Sequence, residues 1–310
     1  MNVLIVFPEA QWLAAQLRAR FPEVRFTAAA SYEDARPHFG EAHVFMGTGV
    51  GLTAEMVAAM AHLEWVHCLI SGTDQLRPAL EERRDILLTS SRGIHGPQMS
   101  EMALLHMLWL NRQAGRMHRN QLAHVWEAWE QRALDGKTVG IVGLGAIGER
   151  LARVCKALDM TVYGVSRTDR PVGGVDRVFD RSQLVDVAGQ VDFLVLVLPR
   201  TADTEDLVDA EVLSAMKPTA FLVNLARGGV VDEDALVQAL REGRIAGAGL
   251  DVFATEPLPA DSPFWDLENV LVTPHVGGRS DRYGQQLLTI VEPNLRRYLA
   301  GDRKDMTNVV

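Results

Sequence analysis

Between the apolar run Thr138–Val142 and a helix-patterned segment starting near Ile147 stands Gly143-Leu144-Gly145-Ala146-Ile147-Gly148. A strand that runs into three glycines at this spacing and continues as a helix has few folds open to it. Gly143 permits a tight turn out of the strand. Gly145 lets backbone approach a pyrophosphate. Gly148 lets the helix pack on the sheet, its N-terminus toward the phosphates. The flanking strand and helix are the context in which this fingerprint is specific. They make Gly143, Gly145, Ala146, Ile147 and Gly148 candidate dinucleotide contacts, joined by Pro199 after a later strand.

The rest of the chain repeats the strand–helix alternation. Residues 3–7, 44–46, 65–70 and 86–89 read as strands, with a helical stripe of Trp12, Leu13, Leu17 and Phe21 and a helix-like segment at 53–60. Gly96-Pro97 opens a long apolar helix through Met99, Met102, Leu105 and Leu108 to about Asn111, and a polar, Trp-containing stretch follows over 112–135. Beyond the glycines, a helix at 147–158 presents Leu151, Val154, Cys155 and Leu158. Strands then fall at 161–165, 193–198, 221–224, 247–251 and 270–273. Asp232 is placed to cap a helix that Gly243 stops, with Glu233 and Asp234 at its positive end. A last helix covers 281–299. This pitch predicts an α/β chain of doubly wound parallel sheets. The cradle starts late and helix follows the last strand. These facts predict a first domain of residues 1–94 plus 281–310 and an inserted dinucleotide-binding domain of residues 95–280, hinged near 91–96 and 275–281 around a ligand cleft.

The bulk numbers exclude several classes. A net charge of −9 without a basic run argues against nucleic acid. No apolar run reaches the roughly 18 residues of a membrane span. The start lacks a signal-peptide pattern, and two cysteines suggest no disulfide framework, so a reducing cytoplasm is expected. The nine histidines show no metal-ligand spacing, so no metal is expected.

Ser166-Arg167-Thr168 follows the second strand of the inserted domain, where a site for NAD carries an acid on the ribose. Hydroxyls with a guanidinium instead suit a 2′-phosphate, which points to NADP(H). NAD(H) is the alternative if Asp169 turns back to the ribose. Three more groups close strand-like runs: Arg227, whose planar fork suits a two-oxygen anion; Glu256, beside Pro257; and His275, beside Gly277 and Gly278 at a domain crossing. Hydride transfer to a 2-keto acid needs such a set, namely a cation for the carboxylate, an acid for the developing alkoxide and a partner that orients that acid. Asp251 is a candidate contact for the nicotinamide amide. The turn Ser71, Gly72, Thr73 offers backbone N–H groups for a carboxylate. Met46, Leu69, Arg279 and Tyr283 are candidates for the pocket lining.

DGKTVGIVGLGAIGERLA, MKPTAFLVNLARGGVVDEDALVQAL, GRIAGAGLDVFATEPLP and NVLVTPHVGG follow the pattern of the D-isomer-specific 2-hydroxyacid dehydrogenase family, and the chain resembles that family over nearly its whole length. The resemblance implies a flavodoxin-like substrate domain with an inserted Rossmann domain. It implies Arg227, Glu256 and His275 as the catalytic trio, Asp251 at the nicotinamide and the Ser71-Gly72 turn at the carboxylate. It also implies a homodimer joined through the nucleotide domains. The segment with Trp126 and Trp129 resembles the dimer arm, from which a Trp enters the partner's site in glyoxylate/hydroxypyruvate reductases. The serine-arginine-threonine is similar to the NADPH-using reductases of the family. The expected activity is NAD(P)H-dependent reduction of glyoxylate, hydroxypyruvate or a bulkier 2-keto acid to the D-2-hydroxy acid.

The chain also departs from the pattern. Ser166 stands where the family often has Asp, and the first 100 residues match least beyond SGTDQL. Glu256 replaces the Gln of formate dehydrogenases, and no regulatory domain like that of long phosphoglycerate dehydrogenases is expected after Val310. Two other readings remain open. One is a nucleotide-sensing binding protein like the co-repressors built on this fold. The other is a dehydrogenase of a non-carboxylate anion such as phosphite.

Overall fold

The apolar runs form strands buried on both faces, and their side chains divide by period two between the two sides of each sheet. Val3 and Ile5 enter one core with Leu13, Leu17 and Trp65, whereas Leu4 and Val6 enter another with Phe45, Val57 and Val66. The computed structural model describes residues 1–168 and 170–310; Asp169, the alternative ribose contact, lies outside the described residues. By compactness the chain divides into two units, Met1–Ile94 with Ser280–Val310, and His95–Arg279.

The first unit holds β1 (Asn2–Val6), α1 (Ala10–Arg20), β2 (Arg25–Ala29), α2 (Tyr32–Ala35), β3 (Val44–Gly47), α3 (Ala54–Ala59), β4 (Trp65–Cys68) and β5 (Leu87–Ser90). Its parallel sheet has the order β2-β1-β3-β4-β5, the flavodoxin-like winding. The second unit holds α4 (Gly96–Asn111), α5 (Ala114–Leu122), β6 (Thr138–Val142), α6 (Ala146–Lys156), β7 (Thr161–Val165), β8 (Arg177–Phe179), α7 (Leu184–Ala188), β9 (Phe193–Leu196), α8 (Ala210–Ala215), β10 (Phe221–Asn224), α9 (Glu233–Arg241), β11 (Gly247–Leu250) and β12 (Val270–Val272). Its seven parallel strands run β12-β11-β10-β9-β6-β7-β8, a Rossmann order extended by one strand. The last helix, α10 (Tyr283–Ala300), returns to the first unit, where Leu287, Val291 and Leu295 pack with Leu13 and Leu17 of α1.

Helix ends follow local chemistry. Asp232 Oδ1 accepts from the Ala235 N–H at 3.0 Å to start α9, and Gly243 at φ +65° ends it. Other sequence expectations need correction. Within the polar stretch 112–135 lies α5, which buries no residue and so left no apolar stripe to read. Two strands were missed. β2 carries small and polar residues, and β8 is only three residues long with Arg177 exposed. Trp12 is 39% exposed and lies against Gly284, so it stands off the buried stripe of α1. On α4, Leu105 and Leu108 face solvent within this chain, and Leu158, past the end of α6, is also exposed. No helix of the described residues is long and apolar enough to cross a membrane.

Candidate active site

In the second unit the sheet order reverses between β6 and β9, and a ligand crevice forms outside the carboxyl ends of strands at such a point. Gly143 leaves β6 at φ +105°, and a Cβ there would lie 2.9 Å from the Val197 carbonyl oxygen. At Gly148 a Cβ would come within 2.1 Å of the Gly143 carbonyl, so α6 closes on the turn only with glycine at that place. Gly145 differs. It starts α6 without a side-chain cap, and a Cβ on it would meet nothing within 4 Å. A side chain there would occupy the ground in front of the helix amides, where a pyrophosphate fits. Ala146 and Ile147 form the first turn of the helix. Pro199 follows β9, its carbonyl oxygen accepting from the buried Thr204 hydroxyl at 2.9 Å. These residues fit a dinucleotide.

β7 ends at the residues expected to read the ribose. Ser166 Oγ lies 3.2 Å from Thr168 Oγ1 and accepts from the Thr168 N–H at 3.2 Å, which folds the three residues into a tight hydroxyl turn. Ser166 and Arg167 line a cavity of about 240 Å³ with Val178, Phe179, Asp180 and Gln183. Arg167 Nη1 stands 3.7 Å from Asp203 Oδ2, with both side chains well exposed. Sequence reading missed two charged groups here. Asp203 faces Arg167, and Arg170 donates to the Leu144 carbonyl at 2.9 Å while pairing with Glu149 of α6, tying this loop to the glycine turn. Neither is adjacent in sequence to the group it serves.

The three chemical candidates sit after neighbouring strands. Arg227 follows β10, where Asn224 pins the turn. The Asn224 Oδ1 accepts from the Ala226 N–H at 3.0 Å, and its Nδ2 donates to the Arg227 carbonyl at 3.3 Å. The guanidinium spends one N–H on the Ala226 carbonyl at 2.7 Å. Glu256 and His275 meet: His275 Nδ1 is 2.7 Å from Glu256 Oε2, while Glu256 Oε1 accepts from the Phe253 N–H at 3.0 Å. Both carboxylate oxygens are therefore engaged, which fixes the plane the imidazole must adopt. The loop carrying Glu256 is also held from outside. Glu233 Oε1 accepts from the Ala254 N–H at 2.6 Å, and a Cβ on Gly228 would fall 1.9 Å from the Phe253 carbonyl oxygen. Burial pushes the Glu233 carboxyl above its ordinary pKa.

Asp251, after β11, is buried, and its carboxylate accepts from the Thr273 hydroxyl at 2.5 Å and from the N–H groups of Val276 and Gly277 at 3.0 and 2.9 Å. The expected nicotinamide contact is thus a carboxylate already bound to the His275 loop. His95, not singled out from sequence, is buried at the start of α4. Burial, aided by the charge of Arg227, holds its pKa down at about 4, so its ring is neutral. In the first unit, the turn Ser71, Gly72, Thr73 comes after β4. Cys68 Sγ donates to the Gly72 carbonyl at 3.2 Å, and the Thr73 carbonyl accepts from the Leu76 N–H at 3.0 Å. Of the pocket-lining candidates, Met46 and Leu69 are fully buried, and Tyr283 donates its hydroxyl to the Leu69 carbonyl.

Comparison with known proteins gives the family. Residues 104–277 match the family model described as D-isomer specific 2-hydroxyacid dehydrogenase, NAD binding domain. The D-3-phosphoglycerate dehydrogenase of Mycobacterium leprae is 35% identical over 251 residues, 80% of this chain and 47% of that protein. The match therefore spans about half the length of that curated relative. A solved D-isomer specific 2-hydroxyacid dehydrogenase family protein from Aeromonas salmonicida is 34% identical with a TM-score of 0.92, covering 100% of this chain and 98% of the other. The NADPH-dependent glyoxylate/hydroxypyruvate reductase of Sinorhizobium meliloti, solved with NADP and sulfate, is 28% identical with a TM-score of 0.83, covering 100% and 98%. Glycine turn, flavodoxin-like and Rossmann windings, family model and near full-length structural likeness converge, and the chain belongs to the D-isomer-specific 2-hydroxyacid dehydrogenase family.

Proposed function

We propose that this protein reduces a small 2-keto acid of the glyoxylate or hydroxypyruvate type to the D-2-hydroxy acid, with NADP(H) as the preferred coenzyme. The observation that carries the reading is the 2.7 Å pairing of His275 with Glu256, after the carboxyl ends of β12 and β11 in the same parallel sheet whose β6 ends in the glycine cradle. When bound, a reduced nicotinamide supplies the hydride that C2 of the keto acid accepts. Gly143, Gly145, Ala146, Ile147, Gly148 and Pro199 hold the dinucleotide. Arg227 binds the substrate carboxylate and draws electron density from the C2 carbonyl; among the described residues it pairs with no carboxylate of its own. Nδ1 of His275 faces Glu256, so Nε2 gives its proton to the carbonyl oxygen as charge develops there. Glu256 stabilises the imidazolium present before transfer and holds the neutral ring left afterwards as its Nδ1–H tautomer. The Ser71-Gly72-Thr73 turn is proposed to contribute to carboxylate binding.

The NADP(H) preference rests on Ser166, Arg167 and Thr168, which present two hydroxyls and a guanidinium in place of a ribose-binding acid. The Sinorhizobium reductase, named as NADPH-dependent and solved with NADP, supports it. We propose a homodimer through the second unit, where Leu105, Leu108, Leu122, Val125 and Trp126 are exposed in the single chain.

The test is a panel of 2-keto acids with NADPH and NADH in parallel, on wild type and His275→Ala. Wild type is expected to oxidise NADPH faster than NADH with at least one acid. The variant should lose roughly a hundredfold to ten-thousandfold in kcat while binding NADPH as before. Full turnover in the variant would remove the mechanism. An inert wild type that binds NADPH tightly would favour a nucleotide sensor.

A further inference from the structure

The second half of α4 buries a histidine among apolar residues. His106 is fully buried, and burial lowers its pKa, so the ring is neutral. Room for it is made by Gly249 of β11, where a Cβ would lie 2.6 Å from His106 Nδ1. The other ring nitrogen, Nε2, is 3.1 Å from the Thr273 hydroxyl oxygen. That hydroxyl spends its single proton on Asp251 Oδ1 at 2.5 Å, so towards His106 it must accept, which fixes the Nε2–H tautomer. Asp251 then takes the Val276 and Gly277 N–H groups on its remaining lone pairs, at 3.0 and 2.9 Å. Between these anchored residues stands His275, in the left-handed region at φ +50°, its own N–H bonded to the Asp251 carbonyl at 2.9 Å. A histidine keeps that backbone only where its surroundings over-determine it. The four-residue turn from Thr273 to Val276 is therefore held at both ends by one buried carboxylate, and that carboxylate is oriented from α4.

We propose that His106 and Thr273 are positioning residues for His275, acting through Asp251 as a buried latch that presents the imidazole to the substrate. The kinetic consequence rests on the hydride-transfer reading above. His106 Nδ1 has no hydrogen-bond partner among the described residues, but the links from its Nε2 through Thr273 to Asp251 are all made. Breaking one leaves a further donor or acceptor stranded and lets the turn relax.

Thr273→Val removes the hydroxyl while keeping its shape, Thr273→Ser restores the hydroxyl, and His106→Leu removes the donor at the far end. Each is assayed for kcat and KM with glyoxylate, for NADPH affinity by fluorescence, and for amide hydrogen exchange over 274–279 in the protein without coenzyme. Thr273→Val and His106→Leu are expected to lower kcat about tenfold or more, as a misplaced catalytic group does. KM for glyoxylate and NADPH affinity should stay within about twofold. Serine at 273 should return kcat, and the Val276 and Gly277 amides should exchange faster only in the two disrupted variants. Wild-type kcat in Thr273→Val, or unchanged exchange at those amides, overturns the latch. A fall in melting temperature with kcat intact assigns the chain to stability alone and overturns it too. If Thr273→Val does not fold, His106→Leu carries the same readouts. If wild type reduces no keto acid, the reductase reading fails, and the exchange arm alone decides the latch.

Discussion

Arg167 and Asp203 face one another across solvent at 3.7 Å, both side chains about 70% exposed. Such a pair is worth about 0–1 kcal/mol, so a phosphate dianion placed between Ser166 and Arg167 would displace Asp203 with little loss. Arg167→Ala is therefore expected to raise the KM for NADPH about tenfold, the equivalent of one charge-assisted hydrogen bond, and to leave the KM for NADH nearly unchanged. Steady-state assays with both coenzymes check it, and equal effects on the two would assign the preference to other residues. Ser166, Arg167 and Thr168 were legible because they are consecutive and end a strand. Asp203 and Arg170 were not, because their partners are brought near only by the packing of separate loops. The same holds for His106 and Thr273, 167 positions apart. Asp251 was found as a strand-end acid, but its donors are a hydroxyl and two backbone amides of another loop, and no residue type announces those.

At the level of elements, strand position was readable where both sheet faces are buried, because a run such as Phe193–Leu196 is then apolar throughout. It failed at β2 and β8, each of which opens on an exposed arginine and is too short or too weakly apolar to stand out. It failed again at α5, a helix with no buried face in the single chain. That helix and its neighbour expose Leu105, Leu108, Met117 and Leu122, with Val125 and a fully exposed Trp126 just beyond. Exposed apolar side chains on neighbouring elements are what an interface would cover, and the proposed homodimer would close over these. Leu105→Asp combined with Leu108→Asp is expected to convert a dimer into a monomer, read by light scattering on a sizing column. A wild type already monomeric at micromolar concentration would remove the homodimer proposal.

At the scale of the whole molecule, buried histidines make stability fall from neutral pH downwards. Burial holds His67 at a pKa of about 3 and His95 at about 4, both below the ordinary 6.5. His67 is satisfied while neutral, one ring nitrogen 2.7 Å from the Thr89 hydroxyl and the other 3.0 Å from that of Ser91. The unfolded chain therefore binds protons on these rings that the folded chain refuses. Stability is held above pH 6.5 and lost as pH falls towards 4 for His95 and 3 for His67, each group adding a slope of up to about 1.4 kcal/mol per pH unit. Urea unfolding at pH 8, 7, 6 and 5 should show the decline starting near pH 6.5, and His67→Gln should make it shallower. A flat profile would show that these rings are not buried in solution. The two sheet orders were expected as a class because the alternation of strand and helix is periodic. Which strand lies beside which is set by crossovers, and no local pattern records those.

Gly228 bears on how such a protein changes over time. With the Phe253 carbonyl so near that a methyl group would overlap it, the segment bearing the guanidinium and the segment bearing the carboxylate are nested like gear teeth. An exchange of one segment for a longer or bulkier version would jam against the other. New specificities are therefore expected to arise by transplanting the two segments as a matched cassette, while residues outside this mesh drift singly.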